Sequence, residues 1–310
     1  MRTIAMRSHS QTEMSRAEAV VARTNKTLSI VADAVLKETR LRPFEPKPST
    51  IFRSSFAELN SALGVGGFPS GRVCELFGSE AVGKTTIALD LIANAQRMGS
   101  IVAYIDAEHK LDSAYAKNLG IDPDALLVFR PETAQHCHAL TEVLLRTGHV
   151  HLLILDSVSA LIPEAEYQQH SHVQDPDYGG LMARWARKTA VLAARSDTCV
   201  VVTNQVRQKV ATLFGNPETT TGGRALRHHC SLRIELRRVR TVIQNDTALG
   251  IRVRATVVKS SISRPLQACE FDLIDPPYTA VGARLRPTAL EVKAPSDLSD
   301  LAALDGLAPV

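Results

Sequence analysis

Eight residues of this 310-residue chain, GSEAVGKT from Gly78 to Thr85, have the spacing of a phosphate cradle: a glycine, four residues, then Gly-Lys-Thr. Glycines at such positions let successive backbone N–H groups curl around phosphate oxygens, and a helix starting there adds partial positive charge. Ser79, Glu80, Ala81 and Val82 would form the turn between Gly78 and Gly83. Lys84 would reach the β and γ phosphates of ATP, and the Thr85 hydroxyl would reach Mg2+, with Thr86 next to it. Two acidic strand ends lie downstream. HLLILD closes an apolar run with Asp156, placed to hold Mg2+ through water, and YIDAEH closes another with Asp106, Glu108 and His109. Glu108 is the candidate for orienting or deprotonating an attacking water. Alone, each acidic end reads equally well as a solvated turn or a helix cap. Together with the loop they make a nucleotide site.

Such groups converge only if the elements that carry them end on one side. RVCELFG (72–78), IVAYID (101–106), LLVF (126–129), HLLILD (151–156) and CVVVTN (199–204) read as short, continuously apolar strands. Helical patterns cover 85–99, 113–119, 133–147 and 180–195. This alternation predicts an α/β fold, a mostly parallel central sheet flanked by helices of the P-loop NTPase kind. After residue 228 the pattern turns to β: CSLRIELRRV, IRVRATVVK and QACEFDLI predict an antiparallel extension. At the other end, residues 14–39 have apolar positions at helical spacing, and the following segment holds Pro43, Pro46 and Pro48. The expected organisation is an N-terminal helical arm and linker (1–50), an ATPase core (51–280) and a short tail (281–310).

Composition narrows the class. At 45% hydrophobic and 22% charged residues the chain is neither disordered nor collagen-like. No stretch approaches the roughly 18 apolar residues of a membrane span, so no membrane partner is expected. Five scattered cysteines without CxxC spacing, and a first segment lacking the apolar centre of a secretory signal, fit a cytoplasmic protein. The net charge of +4 is small but unevenly spread. Thirteen basic residues lie between Arg195 and Arg264 against Asp197, Glu218, Glu235 and Asp246, a surplus of nine, which leaves −5 for the rest. That asymmetry points to a phosphate-backbone partner. The glycine-rich stretch inside it contains one aromatic, Phe214, and no base-reading helix, so sequence-tolerant contact with single strands is expected, with Phe214 serving equally well as wedge or as anchor. The three HxH pairs, at 136 and 138, 149 and 151, and 170 and 172, lack the convergent ligands of a metal site, which leaves Mg2+ as the expected metal. Trp185 is expected in the core, and His228 and His229 at a strand start.

Five blocks together resemble the bacterial RecA recombinases: GSEAVGKTT, YIDAEHKLDSAYAKNLGID, ILDSVSAL followed by PEAE, VVVTNQVRQKV, and LFGNPETTTGGRALRHHCSLRIEL. The resemblance covers about residues 56 to 275. It implies helical self-filaments on single-stranded DNA, ATP bound between neighbouring subunits, and pairing of that strand with duplex DNA. By position it implies Glu108 as activator of the hydrolytic water, Gln205 as γ-phosphate sensor, and Asp112 and Tyr115 at the adenine. Val206 to Gly223 resembles the second DNA-binding loop, which gives Arg207, Lys209, Phe214, Asn216, Thr221, Gly222, Gly223 and the adjoining Arg224 as DNA contacts, with Arg187 in ARWARK nearby. Lys259 resembles a lysine that reaches the neighbour's phosphates, and the N-terminal helix resembles the arm that docks on the next subunit. A repressor of the SOS response and other repair proteins are further partners that the family suggests.

The chain departs from the family in several places. Ser261 stands where a second interface lysine is usual, which should weaken stabilisation of the transition state. The first DNA loop, about 167–180, carries the unusual QQHSHVQDPDY, and only about 35 residues follow the core, too few for the usual C-terminal domain. Two readings stay open on sequence. One is a recombinase with DNA-dependent ATPase activity, and the other is a regulatory or structural filament component that binds ATP and DNA, or another recombinase, without efficient strand exchange.

Overall fold

The computed structural model describes residues 49–168, 178–208 and 218–274. The expected N-terminal helix, most of its linker, the centre of the first DNA loop, Lys209, Phe214, Asn216 and the tail from 275 lie outside the described residues.

A two-stranded ribbon of β1 (Ile51–Phe52) and β2 (Phe68–Pro69) brackets the short helix α1 (Ala57–Ala62). Then β3 (Val73–Gly78), α2 (Lys84–Arg97), β4 (Val102–Asp106), α3 (Ser113–Asn118), β5 (Leu126–Phe129), α4 (Ala134–Thr147) and β6 (Leu152–Asp156) alternate. They are followed by α5 (Glu164–Gln168), α6 (Tyr178–Ser196), β7 (Cys199–Gln208), β8 (Glu218–Thr220) and α7 (Gly223–His229). Three long strands complete the described chain: β9 (Leu232–Gln244), β10 (Thr247–Ser260) and β11 (Ala268–Ile274). The sheet order is β11-β10-β9-β3-β7-β6-β4-β5, with β8 paired to the end of β7. From β9 to β5 neighbours run parallel, and β10 is antiparallel to both of its neighbours, β9 and β11.

The apolar strands are buried on both faces because their side chains alternate. Leu152 and Ile154 enter one core with Ile87, Leu91 and Ile92 of α2, whereas Leu153 and Leu155 enter the opposite core with Leu144 and Leu145 of α4 and Trp185 of α6. Trp185 is thus a core residue, stacked on His138 with ring centroids 5.2 Å apart. Helix ends follow local chemistry. Thr133 caps α4 through His136 N–H at 3.1 Å, Gly148 ends it with φ 69°, and Asp112 caps α3.

The antiparallel extension gives many of its arginines partners that no sequence window reveals. Arg252 forms a two-pronged pair with Asp272 (2.7 and 2.9 Å), its register partner on β11, and Arg254 pairs with Glu270 at 2.8 Å in the same way. These carboxylates offset the like charges across the other ladder, where Arg252 faces Arg240 and Arg254 faces Arg237. Arg233 pairs with buried Glu75 and Arg237 with Glu235. The basic surplus counted along the chain therefore overstates the charge left for a partner. His228 and His229 close helix α7 rather than opening a strand, which begins only at Leu232.

Candidate nucleotide site and DNA-loop base

The parallel strands deliver their carboxyl ends to one edge, and the loop from β3 to α2 lies there. Gly78 is buried against β9: a Cβ would stand 2.3 Å from the Leu236 carbonyl oxygen. Ala81 and Gly83 turn the loop with φ of 53° and 87°. Val82 is its buried anchor, while Ser79, Glu80 and Ala81 are exposed. Lys84 opens α2, and its Nζ donates to the carbonyls of Gly78 (3.2 Å) and Ser79 (2.6 Å). Burial lowers its ammonium pKa, opposed by the charges of Asp156, Glu108 and Glu80. A cation held inside a tight glycine turn at the start of a helix is a natural seat for polyphosphate.

Asp156 ends β6 fully buried. Its carboxylate accepts hydrogen bonds from Tyr104 (3.0 Å), from Thr203 and from the Thr85 side chain. Burial pushes its pKa above the usual carboxylate range, against the pull of those three bonds. Thr85 and Asp156 are thus in contact, a hydroxyl and a carboxylate at the end of the phosphate loop, and this oxygen donor set suits a hydrated Mg2+. The residues present fit both a nucleoside triphosphate and its cation.

Glu108 lies one loop away. The Ala107 and Glu108 N–H groups donate to the Asp156 carbonyl at 2.8 and 3.2 Å, which ties the end of β4 to the end of β6. Ser157 Oγ donates to Glu108 Oε1 at 2.7 Å, and Lys110 Nζ donates to Oε2 at 3.1 Å. Burial works to raise the Glu108 pKa, but these two bonds and the charges of Lys110 and Lys84 bring it below the usual range. The group is therefore an ionised, oriented acceptor. Glu108 and Gln205 line one cleft of about 210 Å³ with Ala107, Lys110, Ser159 and Ala160. A carboxylate and an amide facing one small wet space can hold and polarise a water.

Other expected residues are placed differently. Asp112 is exposed, and its Oδ1 accepts from Ala114 and Tyr115 N–H as the cap of α3. The Tyr115 ring packs on the core, with its hydroxyl 3.3 Å from Thr86 Oγ1. Lys259 Nζ donates to the carbonyls of Arg227 (2.8 Å) and His228 (2.7 Å) and so fastens β10 to the end of α7. Burial lowers its pKa. Ser261 bonds to the Ser231 carbonyl through its N–H at 2.9 Å. Arg187 and Arg224 are exposed, whereas Lys188 is bound to Glu142 at 2.5 Å.

The second-loop segment springs from the strand that carries Gln205. Val206, Arg207 and Gln208 pair with Thr220, Thr219 and Glu218, so residues 209–217 leave and return through one short antiparallel ladder. Gly222 and Gly223, with φ of 91° and 69°, then turn the chain into α7.

Several residues of this region were not singled out on sequence: Tyr104, Ser157, Thr203, Asn204, Glu75 and Arg233. Three carry a legible signal. Glu75 is a lone charge inside the apolar VCELF, and Thr203 and Asn204 interrupt an apolar run just before Gln205.

The family model for the RecA N-terminal domain matches residues 40–277. The chain belongs to the RecA family. It is similar to Protein RecA of Nocardioides sp., 44% identical over 230 residues, or 73% of this chain and 65% of that protein. Protein RecA of Heliobacterium modesticaldum is 45% identical over 219 residues (70% and 63%), and Protein RecA 1 of Myxococcus xanthus is 44% identical over 229 (72% and 66%). The match spans slightly less than two thirds of the length of each of these RecA proteins. The strand that leads into the phosphate loop, β3, and the strand that carries Gln205, β7, are parallel neighbours in the sheet. Among the described residues no helix is long and apolar enough to cross a membrane.

Proposed function

We propose that this chain is a DNA-dependent ATPase of the cytoplasm that polymerises on single-stranded DNA and promotes homologous pairing and strand exchange in DNA repair. The observation that carries the reading is the junction at β7: Gln205 faces the Glu108 cleft, and the strand that carries it ends at Gln208, directly before the 209–217 segment.

In this mechanism Lys84 and the loop amides hold the β and γ phosphates, and Thr85 and Asp156 would hold Mg2+, which would supply charge neutralisation at the phosphate oxygens. Glu108, kept ionised by Ser157 and Lys110, orients the attacking water and takes its proton. Gln205 senses the γ-phosphate end of the cleft. Its movement re-sets the strand from which the DNA segment springs, so that ATP favours the DNA-binding arrangement and hydrolysis releases it. Asp112 and Tyr115 flank the adenine, and Lys259 reaches the phosphates of the neighbouring subunit. Arg207, Lys209, Phe214, Asn216, Thr221, Gly222, Gly223, Arg224 and Arg187 serve the DNA. The N-terminal arm, residues 1–50, links subunits of the filament around the ATPase core, 51–280. Partners are single- and double-stranded DNA and further copies of the chain, with a repressor or other repair proteins as additional ones.

The test is filament formation by electron microscopy on circular single-stranded DNA with a slowly hydrolysed ATP analogue, followed by joint-molecule formation with homologous duplex. Regular filaments and joint molecules are expected. Filaments without joint molecules would favour a scaffold, the reading that Ser261 motivates.

A further inference from the structure

A charged network is buried beside the phosphate-loop strand, and of the groups assigned to phosphate or water it reaches Gln205 alone, through that residue's backbone N–H. Glu75 on β3, three residues before Gly78, is wholly buried. Its Oε2 meets Arg233 Nε at 2.5 Å, from the residue directly opposite on β9, and its Oε1 accepts from Asn204 Nδ2 at 2.8 Å, from β7 on the other side. Arg233 lies over the Phe77 ring at 4.6 Å and extends its other nitrogen towards Thr220 Oγ1 at 3.4 Å. Asn204 uses its whole amide: Nδ2 also donates to the Thr221 carbonyl at 2.7 Å, and Oδ1 accepts the Gln205 N–H at 2.9 Å.

Every link of this network ends on the phosphate-loop strand, on Gln205, or on the returning end of the 209–217 segment. Stability alone does not call for it. Apolar residues at the positions of a buried ion pair are often equally stabilising, whereas a rigid charged frame fixes where its partners sit. The frame also abuts a joint. The Thr221 carbonyl that Asn204 holds is followed by two glycines with left-handed φ, Gly222 and Gly223. Next to it, Thr221 Oγ1 and Arg227 Nε are buried without a hydrogen-bond partner among the described residues. The glycines leave the backbone free to turn at this point, and the two unpartnered groups beside it do not hold it in one arrangement.

We infer that Asn204, braced by Glu75 and Arg233, is the positioning residue that couples the nucleotide cleft to the base of the DNA segment. It acts through the Gln205 N–H on one side and the Thr221 carbonyl on the other. The inference rests on the proposed function and goes beyond it by placing the coupling in the buried amide as well as in Gln205.

The experiment uses the full chain and two variants. Asn204→Ala removes the amide. Asn204→Asp combined with Glu75→Gln keeps one acid and one base in the network and keeps an acceptor for the Gln205 N–H, but deletes the donor to Thr221. The double variant, which keeps the number of buried charges but separates the Glu75–Arg233 pair, is expected to unfold at a lower temperature yet stay folded at the assay temperature, and to keep DNA-free turnover and KM for ATP within about twofold. DNA-stimulated kcat should fall about tenfold, within the usual range of coupling between two sites, and the rise in DNA affinity caused by an ATP analogue should vanish with it. If the folded double variant is stimulated as strongly as the wild type, Asn204 does not couple the sites. Parallel losses in DNA-free turnover and KM would make the network structural only and overturn the inference. A wild-type chain whose turnover ignores DNA would overturn the proposed function together with it.

Discussion

The two halves of the central sheet treat their charges in opposite ways. In the parallel half, Lys84, Asp156, Glu108 and Gln205 come from four different elements and gather at one edge, because parallel strands place all their carboxyl ends on the same side. In the antiparallel half, Arg252 and Arg254 face Asp272 and Glu270 across a ladder, and the charges cancel in place. Concentrated, partly desolvated charge can do chemistry, and ladder charge holds strands in register. Charges at the ends of parallel strands thus remain for a ligand, whereas charges facing each other within a ladder are neutralised there, as Glu75 and Arg233 also are between the parallel strands β3 and β9.

Four experiments break or sharpen that contrast. Glu108→Gln at the parallel edge is expected to reduce kcat by about 10²–10⁴ while leaving ATP binding intact, the range for removal of a general base. Equal losses in ATP affinity and kcat in equilibrium binding and turnover assays would instead make Glu108 a binding residue. At the seam between the halves, Arg233→Met leaves Glu75 buried and unpaired and should destabilise by about 3–5 kcal/mol in chemical denaturation. Adding Glu75→Gln should recover most of that loss, and failure to recover it would show that the arginine acts mainly through its packing on Phe77.

His138, outside both charge systems, gives a pH signature. Burial first, and then Arg184, push its pKa down to about 4. The native state keeps it neutral, while the unfolded chain takes up a proton below about 6.5. Its contribution is therefore fully present above pH 6.5, is lost progressively as pH falls towards 4, and flattens below. His138→Phe should remove about 2 kcal/mol of that decline in unfolding curves between pH 7 and 4.5. An unchanged pH slope would mean that His138 is not shielded.

The smallest effect is the most discriminating for DNA. Neutral substitution of Arg207 and Lys209 should flatten the dependence of log affinity on log salt by about 0.7 for each lost phosphate contact on single strands. Neutral substitution of Arg252 and Arg254, whose charges are already paired, should leave that slope unchanged.

Much of the candidate nucleotide site was legible because it depends on local patterns: a loop of fixed spacing, apolar runs ending in acids, and helices starting where glycine permits. The strands and helices that carry it lie within a few residues of their expected positions. What escaped depended on pairing between distant segments. Nothing in CSLRIELRRV tells that Arg233 is neutralised by Glu75, 158 positions away. The ribbon of β1 and β2 rests on two-residue strands too short for any periodicity to mark. Helix α7 was missed because RALRHHC has no amphipathic repeat and is set by the glycines before it. The same holds for Asn204, whose importance arises from two distant partners, Glu75 and Thr221, that the fold brings to it.

The central claim is that one edge of the sheet hydrolyses ATP under the control of DNA held by the adjoining segment. The direct measurement is ATP turnover by the purified full chain with and without single-stranded DNA, beside Lys84→Ala. The account predicts turnover that rises with DNA in the wild type and is abolished in the variant. Turnover indifferent to DNA, or undiminished in Lys84→Ala, would contradict it.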